Sequence, residues 1–116
     1  AQGQSEAEIM ANTRKVLARI RKKDKAVPVV FISPKPSVAR KELRDRYISF
    51  NKVLSAWTNT REHVHYLDVW EPMMAEDGRV REDIFIEDNL HMNAKGYAIW
   101  KQAVGDMLED LDNGML

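Results

Sequence analysis

Between residues 87 and 100 the chain reads Glu-Asp-Asn-Leu-His-Met-Asn-Ala-Lys-Gly-Tyr-Ala-Ile-Trp, a stretch that combines a chemical pair with the start of a helix. Asp88 and His91 stand three residues apart on a segment that must turn, so both side chains can emerge on one side of the bend. A carboxylate so placed accepts a hydrogen bond from the imidazole Nδ1, which fixes the tautomer and leaves Nε2 free to take a proton from a hydroxyl nucleophile. The residues that follow predict how the pair is anchored. Asn93 is a good N-cap, and Met92 and Tyr97 occupy the two positions of a hydrophobic staple. Tyr97, Trp100, Val104, Met107 or Leu108, and Leu111 then predict one apolar face of a helix over about residues 94–111. Asp106, Glu109, Asp110 and Asp112 gather at its end, where the macrodipole disfavours anions, so the last turn is expected to fray.

The elements that must position this pair lie upstream. Ser5 and Glu8 have capping-box spacing, and Ile9, Val16, Leu17 and Ile20 share a face, predicting a helix over residues 5–23. Its cations, Arg14, Lys15, Arg19, Arg21, Lys22 and Lys23, followed by Lys25, read as a solvated face suited to a negative helix end. Pro28 opens Val29-Val30-Phe31-Ile32, apolar at every position and β-branched, the pattern of a strand buried on both faces of a parallel sheet. Two prolines in Ser33-Pro34-Lys35-Pro36 end it, and Ser37 is expected to cap a second helix running to about Thr58. Leu43, Tyr47, Phe50, Leu54 and Trp57 form the apolar face of that helix. A second strand follows over residues 64–70. Residues 71–87 are irregular, with turns at Pro72 and Asp77-Gly78 and one apolar contact, Ile84-Phe85-Ile86, to pin the loop.

Other residues invite chemistry and carry less of it. Ser33 lies at the C-terminal edge of a strand, where α/β sheets place their sites, but a nucleophile elbow needs glycines around the serine, and its neighbours are Ile32 and Pro34. Ser33 and Lys35 are therefore expected at the rim of a substrate cleft, or as turn residues. His63 and His65 share a face only if the strand begins early, and they lack a third ligand. Asp83, Glu87 and Asp88 crowd carboxylates near His91 but read as a solvated loop, and no metal is assigned. Asp68 reads as a turn cap.

Composition limits the function classes. A chain of 116 residues, 44% hydrophobic, suffices for one modest core, and 18 basic against 18 acidic residues leave no net field toward nucleic acid or anionic lipid. With no cysteine there is no disulfide framework or thiolate metal site. No apolar run approaches the roughly 18 residues of a membrane span, and Ala1-Gln2-Gly3-Gln4 is not a signal peptide; the compartment stays open.

An Asp-x-x-His directly before a helix that opens Asn-x-x-Gly-Tyr resembles the last sequence block of the SGNH (GDSL-type) ester hydrolases. Residues 31–37, Phe-Ile-Ser-Pro-Lys-Pro-Ser, and 64–69, Val-His-Tyr-Leu-Asp-Val, are similar to the fourth and fifth strands of that family's sheet. The resemblance spans residues 5–111 and implies an α/β fold: the C-terminal half of a flavodoxin-like, doubly wound, three-layer α/β/α domain. Residues 1–116 would be a single incomplete domain, helix-strand-helix-strand-helix, with the first strands missing. The family's serine lies in a Gly-Asp-Ser turn, and its oxyanion donors include a glycine and an asparagine; none has a counterpart here.

The resemblance further implies carboxylic ester or thioester hydrolysis through an acyl-enzyme, with His91 as base then acid, Asp88 as its orienting carboxylate, and the serine outside this chain. No cofactor is implied. The implied partners are a small ester or lipid-like substrate and either the missing N-terminal half or a second copy of the chain; the piece alone is expected to be inactive. A non-catalytic module that associates through its exposed sheet edge is the rival reading. A nucleic-acid binder using the basic first helix is opposed by the neutral charge.

Overall fold

The computed structural model describes residues 5–114. Their order is α1 (Glu6–Lys23), β1 (Val29–Ile32), α2 (Arg44–Thr58), β2 (Val64–Leu67) and α3 (Ala94–Asp112), with short 3-10 turns at Lys41–Leu43 and Glu71–Met73. β1 and β2 pair in parallel, Val29 opposite Val64 and Ile32 opposite Leu67, with α2 as the crossover. The ladder runs one bond further at each end, through Val29 N–H to His63 C=O and Ser33 N–H to Leu67 C=O, both 2.9 Å. Beyond Ser33, Pro34 and Pro36 offer no donor, and the strand stops.

Side-chain alternation divides the packing. Val29, Phe31, Val64 and Tyr66 turn toward α1 and α2, where Met10, Leu17, Phe50, Leu54 and Trp57 are buried. The Phe31 ring meets the Trp57 ring edge-on at 5.5 Å. Leu54, only 3% exposed, contributes about 2 kcal/mol by its burial alone. A second cluster joins Met73, Ile84, Phe85 and Met92 to Ile99 and Trp100 of α3, and takes nothing from α1 or α2.

Several expectations are corrected. Ser37 does not cap α2: its Oγ accepts from Arg40 N–H (3.2 Å) in a local turn, while the helix starts at Arg44 with no side-chain cap. The delay has a use, because Ala39 N–H donates to Asn89 C=O (3.0 Å), which ties this turn to the loop carrying His91. Tyr97 does not close a staple. It is 60% exposed, and Met92 packs instead against Met73, Ile84 and Phe85. The final helix persists to Asp112. His63 precedes β2 with φ 59°, so strand alternation does not carry through it to His65.

Arg21 departs from the solvated face expected of α1. Its guanidinium donates to the carbonyls of Asp24 (3.3 Å), Val27 (2.8 Å), Glu62 (3.2 Å) and His63 (3.1 Å), fastening the end of α1 to the entries of both strands. The all-apolar β1 is not covered on both faces: its first three residues are half-buried and Ile32 is 41% exposed. Its second edge has no strand partner among the described residues.

Candidate active site

Residues 84–93 fold back on themselves as a tight hairpin. Phe85 bridges Met92, Ile86 N–H donates to His91 C=O (2.9 Å), and Asn89 N–H donates to Ile86 C=O (2.9 Å). Asn89 takes the left-handed conformation at the tip, φ 57°, which asparagine tolerates better than most residues. The short polar side chain of Asp88 then organises the return strand. Its Oδ1 accepts from the N–H groups of Leu90 and His91, both at 2.9 Å, while Oδ2 lies 2.5 Å from His91 Nδ1.

Three hydrogen bonds to one carboxylate favour its ionised form. The imidazole bond first, then the two backbone N–H groups, lower the Asp88 pKa to about 2. The His91 side chain is 70% exposed, and its Nε2 makes no hydrogen bond with any described residue. An ionised acid on Nδ1 and an open Nε2 form the arrangement of a general base that can take a proton and return it.

Asn93 connects the hairpin to α3 in both directions. Its Oδ1 accepts from Lys95 N–H (2.9 Å) and Gly96 N–H (3.2 Å) as the N-cap, while its Nδ2 donates to the carbonyls of Asp83 (2.8 Å) and Phe85 (3.3 Å). Gly96 is buried where the helix meets the hairpin; a Cβ there would stand 2.7 Å from the Ile84 carbonyl oxygen. Sequence reasoning saw the cap and missed these two supports. The available signal was a glycine in the first turn of a helix, where propensity gives no reason for one.

The two expected rim residues separate. Ser33 is a correction: it is 2% exposed, and its Oγ accepts from Val69 N–H (2.9 Å), so it satisfies a buried donor where β1 and β2 end. Burial pushes the Tyr66 hydroxyl above its ordinary pKa, and the Ser33 hydroxyl opposes the shift. Lys35 reaches the hairpin, with Nζ 2.6 Å from the Leu90 carbonyl and 5.4 Å from the centre of the Phe85 ring. Asp68 caps the turn after β2, accepting from Trp70 N–H (2.8 Å) and Glu71 N–H (3.2 Å).

A groove of about 570 Å³ runs past Pro34, Lys35, Arg40, Tyr47 and Phe50, and another of about 790 Å³ past Asn51, Tyr66, Asp68 and Trp70. Neither wall includes Asp88 or His91. No cluster of potential metal ligands occurs among the described residues.

Residues 1–99 match the sequence profile of the GDSL-like Lipase/Acylhydrolase family, a match that covers most of the chain. The chain belongs to that family. As a GDSL-like chain it also shares a fold with a solved structure from Streptococcus pneumonia described with the words platelet activating factor: TM-score 0.77, 15% identity, 89% of this chain covered. At that identity the likeness is one of fold. The GDSL-like chain spans about half of that structure, 51% of its length. No curated protein matches in sequence. The α/β architecture expected from the sequence is thus that of the GDSL-like fold. No described helix is long and apolar enough to cross a membrane.

Proposed function

We propose that residues 1–116 are the C-terminal half of a serine ester hydrolase domain and supply its His91–Asp88 pair. The observation that carries this reading is the 2.5 Å contact between His91 Nδ1 and an ionised Asp88, with the imidazole 70% exposed. Asp88 holds the tautomer. His91 Nε2 takes the proton from a serine outside this chain as that serine attacks the acyl carbon, then returns it to the departing alcohol. Water follows the same route in deacylation, with His91 again as base.

The substrate class is a short-chain acyl or acetyl ester, a thioester or a lysophospholipid. The nucleophile and oxyanion donors belong to the N-terminal half, whose strands would also cover the open edge of β1 and its exposed Ile32. That half would supply the cleft wall absent around His91, and this chain alone should be inactive. Pairing of β1 with a second copy is the other way to cover the same edge, in which case the chain is an association module; a discrete oligomer without ester turnover would mark it.

In the full-length protein, His91→Ala should lower hydrolysis of p-nitrophenyl acetate by at least about 10³-fold with the fold intact. Ordinary turnover in that variant refutes the reading.

A further inference from the structure

The peptide group between Leu90 and His91 is held at both poles. Its N–H, from His91, donates to Asp88 Oδ1 at 2.9 Å, and its carbonyl, from Leu90, accepts from the Lys35 ammonium at 2.6 Å. Lys35 comes from a different part of the chain, 55 residues earlier, in the loop that leaves β1. It is half-buried, and its charge sits 5.4 Å from the face of Phe85, itself buried in the cluster that supports α3.

We propose that Lys35 is a positioning residue for the histidine: it grips the Leu90 carbonyl while Asp88 grips the His91 N–H, and so sets the plane from which the imidazole projects. An ammonium on the carbonyl also polarises the peptide and strengthens its N–H as a donor to Asp88. Burial, then the nearby Arg40 charge, push the Lys35 pKa below its ordinary value, and Asp88 opposes them. A half-buried cation that spends its one short hydrogen bond on the Leu90 carbonyl, 55 residues away in the chain, does more than a rim charge requires. Without Lys35 the outer wall of the hairpin keeps the Ala39–Asn89 bond but loses its charged anchor beside His91.

This inference rests on the proposed role of His91, and the test keeps the two apart. In the full-length hydrolase, Lys35→Met, Lys35→Arg and His91→Ala are compared on p-nitrophenyl acetate well below the unfolding temperature, with the His91 Nδ1 proton followed by NMR. Lys35→Met should lower kcat about 10- to 100-fold, the scale on which a misplaced catalytic group loses rate, with KM within about twofold. The Nδ1 proton signal should broaden or vanish, and Lys35→Arg, which keeps a charged donor, should restore part of kcat. A kcat for Lys35→Met within about twofold of the parent and an unchanged Nδ1 proton, with His91→Ala inactive, overturns the inference and leaves the hydrolase reading intact. If His91→Ala stays active, the hydrolase reading fails, and persistence of the Nδ1 signal in Lys35→Met decides against Lys35 independently. Should Lys35→Met not fold, Lys35→Gln, which retains a donor and drops the charge, carries the same comparison.

Discussion

Alanine in place of Gly96 and alanine in place of Gly105 should change stability in opposite directions, although both glycines lie in α3. At Gly105 a Cβ meets nothing within 4 Å, so the substitution collects the helix-propensity gain of about 0.5–1 kcal/mol. At Gly96 the same Cβ stands 2.7 Å from the Ile84 carbonyl oxygen and 2.8 Å from Met92 Cβ. Ordinary contact begins near 3.4 Å, so helix and hairpin must part by about 0.7 Å. Neither obstacle is the free end of a side chain, and the Ile84 carbonyl is already engaged by Asn93 N–H at 2.9 Å. Overpacking of this kind costs about 1–3 kcal/mol, which, set against the propensity gain, leaves Gly96→Ala less stable by up to about 2.5 kcal/mol. The two variants should differ by the overpacking cost itself, about 1–3 kcal/mol, in urea denaturation of the whole protein followed by circular dichroism. The parting also moves the hairpin that carries His91, so turnover should fall in Gly96→Ala and hold in Gly105→Ala. Equal stabilisation of the two variants would refute the close approach of α3 to the hairpin.

Other consequences follow from the same geometry. Asp88→Asn keeps a carbonyl for the two backbone donors but faces Nδ1 with an amide that favours the wrong tautomer; kcat for a short ester should drop about 10²- to 10⁴-fold at nearly constant KM. The Asp88 carboxyl should titrate near 2 by carbon NMR, against an ordinary value of 3.8, and His91→Ala should move the midpoint upward because the imidazole is the first cause of the shift. Because the folded pKa is depressed, Asp88 contributes stability above about 3.8 and loses it as pH falls toward about 2; a midpoint at the ordinary value would contradict the three hydrogen bonds. Ser33→Ala leaves the buried Val69 N–H unpaired, so the protein should lose about 1–3 kcal/mol while ester turnover persists well below the melting temperature. Loss of turnover in a well-folded Ser33→Ala would return Ser33 to the chemistry.

Local pattern carried much of the architecture. The all-apolar run Val29–Ile32 is β1, and helices α1 and α3 lie close to their expected limits, although Val16, Tyr97 and Leu108 of their expected apolar faces are exposed. The start of α2 was misjudged, since Ser37 has the right chemistry for a cap and spends it on Arg40. Nothing in residues 37–43 says that Ala39 is wanted by Asn89, fifty residues on. The same limit explains Tyr97, whose position satisfies a staple but whose partner Met92 finds better burial with Met73 and Ile84.

For the site, short-range chemistry was readable and long-range support was not. Residue type and a three-residue spacing are enough to bring Asp88 to His91 Nδ1, because the turn between them leaves a small carboxylate few other donors. By contrast, the Lys35 grip on Leu90, the Arg21 clasp on four carbonyls and the clearance beneath Gly96 each join segments distant in sequence. A lysine, an arginine or a glycine has the same local signature whether exposed or engaged. Which backbone group lies within its reach is decided only when the helices and strands have packed, since that is what brings the distant carbonyl to it.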